Sequence, residues 1–456
     1  MAWRAEASAI LALAWPLAAT NLSQHALAVT DAIILGWLST EALAAATLGA
    51  NLYWALLAPS LGVALAAAPM LAHARGAGRR RSPPGAARGW VRELRRGARS
   101  TLWAALALVL PSLVVLWNGE ALLLALGQDA RLAALAGAYL RAMMWGLVPF
   151  CGFVVLRCFL AAMERPGPAL WITGVALLVN AALGWLLVFG ALGWPGFGVV
   201  GAGLASSFAK LLMAGGLLVL IARDRRLGRF RLLGRFWRID IGKLREVWRL
   251  GLPIGGSMLL EIGVFSAAAL AMGGFGAVAI AAHAIAVQTA TLTFMVPVGI
   301  GQAATARVGL FAGAGQPAAA ARAGWVAIAL GGGFMALMAL LLVLAARPIA
   351  SAFLDPADPQ AAAVTSLAVT LLTVAGLFQV VDGIQAVASG ALRGLKDTRV
   401  PMLFAALGYW GLGLPIGVWL AHRAGLGPVG LWLGLAAGLG MVAPLMLLRW
   451  RRLGRA

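Results

Sequence analysis

Charged residues are scarce in this sequence of 456 residues, in which Asp, Glu, Lys and Arg together make up only 11%. Soluble proteins carry about 25%, so this composition cannot cover a compact fold with a water-facing surface. Hydrophobic residues make up 62% of the chain. Apolar stretches long enough to cross ~30 Å of hydrocarbon as helices recur from one end to the other. The scarcity of charge therefore indicates a protein whose solvent is mainly lipid.

Cysteine, histidine and catalytic sequence patterns are also scarce. Cys151 and Cys158 lie in one apolar segment, where we expect core residues and neither a disulfide nor a metal pair. The four histidines are scattered and form no metal-ligand cluster. The sequence has no HExxH or GxSxG pattern and no long outer loop, which argues against a membrane-embedded protease or transferase. Neither an enzyme nor a bound cofactor is expected.

The apolar stretches are continuous and do not alternate with polar residues, which predicts helices and excludes barrel strands. The first stretch, Ala7 to Trp37, is too long for the core of a cleaved signal peptide and counts as the first span. The sequence thus predicts an all-α membrane protein with twelve transmembrane helices. Their approximate ranges are 8–37, 46–74, 101–126, 131–160, 168–190, 197–222, 250–274, 277–306, 322–346, 361–391, 400–421 and 427–449.

Positive charge is concentrated on one side of the predicted membrane. If the N-terminus is cytoplasmic, residues 75–99 form an inside loop with nine Arg, and residues 223–249 form an inside segment with ten Lys or Arg. The predicted outside loops contain only Arg131, Arg347 and Arg423. This bias follows the positive-inside rule and predicts that both termini are cytoplasmic. It also accounts for the net charge of +21 without a nucleic-acid partner.

The two halves of the chain resemble each other. A shift of 237 residues, reduced later by small gaps, aligns Pro16 with Pro253, Gly36 with Gly273, Gly62 with Gly299, Pro168 with Pro401, Gly196 with Gly425 and Gly201 with Gly430. The sequence therefore predicts two pseudo-symmetric six-helix lobes, at 1–222 and 250–456, joined by a basic cytoplasmic linker at 223–249. Six is an even number, so both lobes have the same orientation, and transporters with such repeats bind substrate near the midplane between them.

Three acidic residues lie inside predicted spans: Asp31 in span 1, Glu261 in span 7 and Asp382 in span 10. A charge at the centre of a membrane helix costs about 2.5–3.5 kcal/mol, so such residues usually face a cavity and have a function. The simpler explanation is a structural carboxylate paired with a nearby arginine. We favour a functional role and predict that these three residues bind the substrate and the coupling ion.

Amide side chains lie at or near helical spacing from each acid. Gln24 and Asn21 precede Asp31, while Gln379 and Gln385 flank Asp382. Such a cluster can bind Na⁺ through its oxygens or hold a proton, and the sequence does not choose between the two ions. Glu261 and Asp382 together form a candidate Na⁺ site.

Other polar residues within the spans are weaker candidates. Asn180 in span 5 and Gln288 in span 8 face either a cavity or a neighbouring helix. Arg141 either pairs with a carboxylate or extends to the membrane interface, and Lys210 and His283 are more readily explained by packing. We include Asn180, Gln288 and Gln24 with the three acids as the predicted site.

Four segments carry a resemblance to a known family. They are AWPLAATNLSQHALAVTDAIILGWLSTEALAAATLG, GLPIGGSMLLEIGVF, AAHAIAVQTATLTFMVPVGIGQAATARVG and QVVDGIQAVASGALRGLKDTRVP, and they contain all three buried acids. Over essentially its whole length the chain resembles the multidrug and toxic compound extrusion (MATE) family, and most closely its NorM-like branch.

The resemblance implies a V-shaped pair of six-helix lobes that exports organic cations in exchange for Na⁺ or H⁺. By position, Asp31, Glu261 and Asp382 match the family's acids in helices 1, 7 and 10, and the last two imply a cation site in the C-terminal lobe. The chain departs from the family pattern at Gly184 and Phe378, where relatives often have Asn or Asp and Tyr. The resemblance therefore does not imply a complete ion site in the N-terminal lobe.

These observations predict a multidrug efflux transporter that works by alternating access. It would reside as a monomer in the lipid of a bacterial inner membrane and export small cationic drugs or toxins. The alternative is a flippase for lipid-linked oligosaccharides, which needs several cations inside the N-terminal spans to bind a pyrophosphate. Lys210 and Arg141 are too few cations for such a site, so the exporter is favoured.

Overall fold

The structure is a computed structural model that describes residues 2–80, 87–190, 195–232, 234–355 and 359–454. Within these residues the regular structure is helical throughout, with no strand, which confirms the predicted all-α fold. The long helical segments are α1 (Ala2–Leu38), α2 (Thr40–Arg80), α3 (Ala87–Trp117), α4 (Ala130–Ala162), α5 (Gly167–Phe189), α6 (Gly198–Arg223), α7 (Ile241–Gly273), α8 (Ala277–Gly313), α9 (Pro317–Leu344), α10 (Ala361–Gly394), α11 (Arg399–His422) and α12 (Gly427–Leu453). Two short helices, Gly119–Ala125 and Ala346–Ser351, lie in the connections.

Eleven of these segments in the described chain, α2 to α12, are long and apolar enough to cross a membrane. The helix α1 is 37 residues long, but it is not one of the eleven. Polar residues such as Asn21, Gln24 and Asp31 lower its mean hydropathy. The structure therefore supports a multi-pass membrane protein, while the count of twelve crossings stays a prediction. Residues 81–86 of the basic segment between α2 and α3 lie outside the described residues.

The chain divides into two compact units. The N-terminal unit is Ala19–Gly255, and the C-terminal unit is Met1–Ala18 together with Gly256–Ala456. The first half of α1 thus belongs with the C-terminal unit, which the sequence did not indicate. The basic stretch 223–249, predicted as a linker, falls within the N-terminal unit.

The basic stretch is attached to α3 by hydrogen bonds to its backbone. Arg99 donates to the carbonyl oxygen of Arg235 at 2.5 Å, and the Trp103 indole donates to that of Phe236 at 2.9 Å. At the end of α6, the Asp224 carboxylate accepts from the backbone N–H of Arg226 at 2.7 Å, and this hydrogen bond lowers the pKa of Asp224. These bonds explain why the stretch packs with the N-terminal unit.

A buried ion pair ties the start of α1 to α8 within the C-terminal unit. Arg307 donates to both carboxylate oxygens of Glu6, at 2.8 and 2.6 Å, and only 5% of Glu6 is exposed. Nearby, Gly299 lies against the backbone of Ala18, and a Cβ atom there would lie 2.6 Å from the Ala18 nitrogen. The Glu6–Arg307 ion pair and the close contact between Gly299 and Ala18 together hold the first half of α1 in this unit.

Glycines allow close packing of the helices that carry the candidate site residues. In the N-terminal unit, Gly201 of α6 lies directly against the Leu187 carbonyl of α5, and Gly203 lies against Tyr139 of α4. In the C-terminal unit, Gly390 of α10 lies directly against the backbone of Gly301 on α8. Small residues at such contacts let helix backbones approach closely in membranes.

Candidate functional site

Asp31 lies at the meeting point of three helices in the N-terminal unit. Only 6% of the residue is exposed, and its two carboxylate oxygens accept from different side chains. The Asn180 amide on α5 donates to Oδ1 at 2.7 Å, and the Ser206 hydroxyl on α6 donates to Oδ2. The amide oxygen of Asn180 is buried with no donor among the described residues. The structure thus brings Asp31 and Asn180 together, whereas the sequence left open whether Asn180 faces a cavity or a neighbouring helix. Ser206 is a further member of this site that was not predicted.

Lys210 brings a positive charge to the same site. It lies one helical turn after Ser206 on α6, so both side chains share a helix face. Its ammonium donates to the Tyr53 hydroxyl at 3.1 Å and lies 4.4 Å from the centre of the Tyr53 ring. It is within electrostatic range of Asp31. Lys210 was predicted to be a packing residue, and its signal in the sequence is a lysine within an apolar helix.

A pocket opens beside these groups. Its polar lining comes from Gln24, Asp31, Thr47, Ser206 and Lys210, together with Tyr53. The rest is mostly apolar and aromatic, including Leu27, Leu57, Trp54, Tyr139, Met143, Phe150 and Met213. A pocket of this composition suits a flat apolar molecule with few directional contacts.

The two amides that precede Asp31 on α1 have different positions. Gln24 lines the pocket, and its amide nitrogen is buried without a partner among the described residues. Asn21 instead accepts a hydrogen bond at 2.8 Å from Arg157 of α4, which is only 5% exposed. Arg157 was not among the predicted polar residues, although an arginine inside an apolar span is as visible in the sequence as Arg141. Arg141 itself pairs with Glu120 at 3.2 Å.

Glu261 and Asp382 form the second cluster, in the C-terminal unit. Glu261 on α7 and Asp382 on α10 are half-buried and lie within electrostatic range of each other. Arg393 lies eleven residues after Asp382 on α10. It is within electrostatic range of Glu261 and donates to the Ser389 hydroxyl at 3.2 Å. Among the described residues no hydrogen-bond donor contacts either carboxylate. Both carboxylates therefore keep their oxygen lone pairs available.

The predicted amide neighbours of Asp382 bond elsewhere. Gln379 donates to the Thr293 hydroxyl at 2.7 Å, and Gln385 accepts from the Tyr409 hydroxyl at 2.9 Å. The amide oxygen of Gln379 is buried without a donor among the described residues. Gln288 lies half-buried on α8. His283 accepts a hydrogen bond from the Trp432 indole at 3.1 Å, which agrees with its interpretation as a packing residue.

These observations define a class of protein: a multi-pass helical membrane protein with acidic residues held inside its helices, which is typical of transporters. The chain belongs to the MatE family, whose sequence model matches residues 16–186 and 253–419. The two matches begin 237 residues apart, the same shift that aligns the internal repeat. This confirms the resemblance from the sequence, and the family is one of transporters rather than enzymes.

Similar proteins cover the chain almost completely. It is 50% identical over 453 residues to "Probable multidrug resistance protein NorM" of Mesorhizobium japonicum, covering 99% of this chain and 95% of that protein. It is 42% identical over 440 residues to "Multidrug resistance protein NorM" of Burkholderia vietnamiensis, covering 96% of this chain and 92% of that protein.

Solved structures share the fold. The eukaryotic MATE transporter AtDTX14 aligns with a TM-score of 0.86 at 20% identity, over 100% of this chain and 98% of that chain. The Vibrio cholerae MATE transporter VcmN in the bent form aligns with a TM-score of 0.84 at 18% identity, also over 100% and 98%. The predicted all-α membrane fold is therefore confirmed.

Proposed function

We propose that this protein is a multidrug efflux transporter that exports organic cations in exchange for entering Na⁺ or H⁺. The observation that carries the proposal is the pair of half-buried carboxylates, Glu261 and Asp382, which lack hydrogen-bond donors among the described residues. A carboxylate pair in this state attracts a cation, whether a metal ion, a proton or an organic cation. The names of the relatives, which refer to multidrug resistance, support the same function.

The two clusters suit different parts of this exchange. The oxygens of Asp31 already accept from Asn180 and Ser206, and Lys210 lies near, so this site favours a proton or the cationic end of a drug over a bare Na⁺. Glu261 and Asp382 offer free oxygens and are the better candidates for the coupling ion. The pocket beside Asp31, with its apolar and aromatic lining, is the candidate drug site.

Exchange requires that the ion and the drug weaken each other's binding, and this coupling is reciprocal. Alternating access then converts ion entry into drug export. The driving force is sufficient, because each entering charge is worth about 2.3 kcal/mol per 100 mV. We also propose that the protein is a monomer in the bacterial inner membrane with both termini in the cytoplasm, from the positive-inside distribution of Arg and Lys.

Drug export from proteoliposomes tests the proposal. Purified protein is reconstituted with ethidium inside, and a Na⁺ gradient or a pH gradient is applied separately. We expect export under one gradient and a loss of that export in Glu261→Gln and in Asp382→Asn. Glu41→Gln is the matched control, because Glu41 lies outside the clusters and pairs with Arg131 at 2.6 Å.

The proposal is wrong if the native protein exports no cation under either gradient. It is also wrong if the two variants export as fast as the native protein. Transfer of a lipid-linked pyrophosphate across the same vesicles, without drug export, would instead support the flippase.

A further inference from the structure

The basic stretch that follows α6 lies beside the point where α3 changes from polar to apolar. Residues 92–99 of α3 contain four arginines, whereas residues 100–117 contain no charged residue. Arg99 and Trp103 flank this boundary, and both donate hydrogen bonds to backbone carbonyl oxygens of the stretch. The Trp103 ring also stacks on Phe236, with 4.9 Å between the ring centres. This part of the stretch is therefore at the depth where α3 passes from the headgroup region of a membrane into the hydrocarbon.

Large apolar side chains are exposed directly after this contact. Trp237 is 76% exposed, Ile239 is 54% exposed and Ile241 is 79% exposed. Contact with water is unfavourable for side chains of this kind, whereas tryptophan is enriched at the level of the lipid headgroups. Headgroups and the upper parts of the acyl chains would cover all three side chains.

Positive charge surrounds the same contact. Arg95 and Arg238 lie within electrostatic range of Arg99. Arg99 is only 8% exposed, and among the described residues it donates to backbone carbonyl oxygens alone, while its Nε is buried without an acceptor. No carboxylate in the described part of the chain lies within 4.0 Å of any of these three guanidinium groups. A buried charge without a counter-ion is costly, so the cluster calls for an anion.

The carboxylates of Asp240 and Glu93 lie beside this cluster but are paired with other cations. Asp240 pairs with Arg96 at 3.0 Å, although its charge also reaches Arg99. Glu93 is shared between Arg96 at 3.4 Å and Lys243 at 2.9 Å. A phosphate diester supplies the missing negative charge, since guanidinium groups bind phosphate oxygens through charge-assisted hydrogen bonds. A phospholipid combines this group with the apolar chains that would cover the exposed side chains.

We propose that this region binds an anionic phospholipid of the adjacent membrane leaflet, at a site formed by Arg95, Arg99, Arg238, Trp237 and Ile239. The phosphate contacts Arg95 and Arg238, because a guanidinium has five N–H donors and both groups have donors to spare. Arg99, which is buried, adds its charge without direct contact. The glycerol and the upper acyl chains lie against Trp237 and Ile239. The inference does not depend on the proposed export function.

Fluorescence polarisation of an acyl-chain-labelled phosphatidylglycerol tests the site on the purified full-length protein in detergent. Phosphatidylcholine with the same label is the comparison, because its choline cation offsets the phosphate charge. We expect the native protein to bind phosphatidylglycerol about tenfold more tightly. Arg238→Gln should weaken this binding about fivefold and leave phosphatidylcholine unchanged, whereas Arg238→Lys keeps most of the preference. Arg451→Gln is the matched control, since it removes an exposed arginine of the C-terminal unit and should change neither lipid.

Arg95→Gln should act like Arg238→Gln, and it decides the matter if Arg238→Gln does not give monodisperse protein. Trp237→Ser tests the apolar part of the site and should weaken both lipids about threefold, because it removes contact with groups that the two lipids share. The site is refuted if the native protein binds both lipids equally, or if Arg451→Gln weakens phosphatidylglycerol as much as Arg238→Gln does.

Glycerol 3-phosphate distinguishes a lipid site from a site for a soluble anion. It carries the phosphate without acyl chains, so we expect millimolar concentrations to leave the labelled phosphatidylglycerol bound. Displacement of the lipid by glycerol 3-phosphate at the concentration at which unlabelled phosphatidylglycerol displaces it would overturn the proposal, because the apolar side chains would then contribute nothing.

Discussion

The Asp31 cluster of the N-terminal unit and the Glu261–Asp382 cluster of the C-terminal unit hold their carboxylates in different ways. Asp31 accepts from Asn180 and Ser206, whereas Glu261 and Asp382 receive no donor from the described residues. The carboxylate of the first site is bonded by side chains of the protein, and those of the second accept no hydrogen bond from the described residues. Two halves that share a helical framework have therefore acquired different chemistry.

The internal repeat shows where this difference arises. The 237-residue shift pairs Glu261 with Gln24 and Asp31 with Ala268, so neither acid has an acidic counterpart. The packing glycines, in contrast, are retained: Gly201 and Gly430 are equivalent, and each lies against the backbone of the preceding helix. The repeat preserves the contacts that hold the helices and not the charges that they carry.

The two units also differ in how they hold an arginine that is buried or nearly so. Arg307 pairs with the Glu6 carboxylate, whereas Arg157 is bound by the neutral Asn21. Among the described residues, Arg307 has a carboxylate partner and Arg157 has none. Breaking a buried ion pair by removing one partner is costly. We therefore expect the loss of Glu6 to lower the free energy of unfolding strongly.

The largest effect is expected for Glu6→Ala. This change leaves Arg307 without its paired carboxylate, and the free energy of unfolding should fall by about 3–5 kcal/mol. Denaturant or thermal unfolding in detergent measures it. Glu41→Ala, which breaks the exposed pair with Arg131, should cost only about 0–1 kcal/mol. If both variants lost the same free energy of unfolding, burial of the Glu6–Arg307 pair would make no difference to its contribution to stability.

The second prediction concerns the two carboxylate clusters. Export of ethidium, under the gradient that drives the native protein, should fall about 100-fold in Glu261→Gln combined with Asp382→Asn, because both free carboxylates are lost. Asp31→Asn should lower export less, about 10-fold, since Asn180 and Ser206 can still bond to the new amide. Initial rates in proteoliposomes measure both effects, and a larger loss in Asp31→Asn would reverse the comparison between the sites.

The third and smallest effect concerns the shared framework. Gly201→Ala and Gly430→Ala should each lower stability by about 1–3 kcal/mol, because a Cβ atom at either position collides with the backbone of the preceding helix. Gly215→Ala and Gly440→Ala are the controls, since nothing lies within 4 Å of a Cβ atom there. Melting temperatures in detergent measure the changes. A clear difference between Gly201→Ala and Gly430→Ala would show that the two frameworks are not equivalent.

Much of the candidate site could be predicted, because a charged residue in an apolar helix is conspicuous. Asp31, Glu261 and Asp382 were found on this basis, and Asn180 was included as a polar residue at membrane depth. The hydrogen-bond partners were harder to predict. Gln379 and Gln385 flank Asp382 at helical spacing but bond to Thr293 and Tyr409. Spacing along one helix indicates which residues share a face, and it does not indicate what that face contacts.

Ser206, Tyr53 and Lys210 were not predicted as site residues. Each lies on a different helix from Asp31, and their approach depends on the rotation and close packing of α2, α4, α5 and α6. Gly201 and Gly203 allow part of that packing. Neither the rotation of a helix nor its crossing with a neighbour can be read from a uniformly apolar sequence, since every face is hydrophobic.

The sequence by itself determined that the chain is a helical membrane protein with a repeated framework and three acids inside its helices, because the cost of exposing polar backbone and charge to lipid leaves few alternatives. Only the tertiary structure decided which acid is satisfied and which is free. It also placed Lys210 and Gln24 in one pocket and grouped Met1–Ala18 with the C-terminal unit. These outcomes depend on contacts between helices far apart in sequence, where small residues and single ion pairs determine the arrangement.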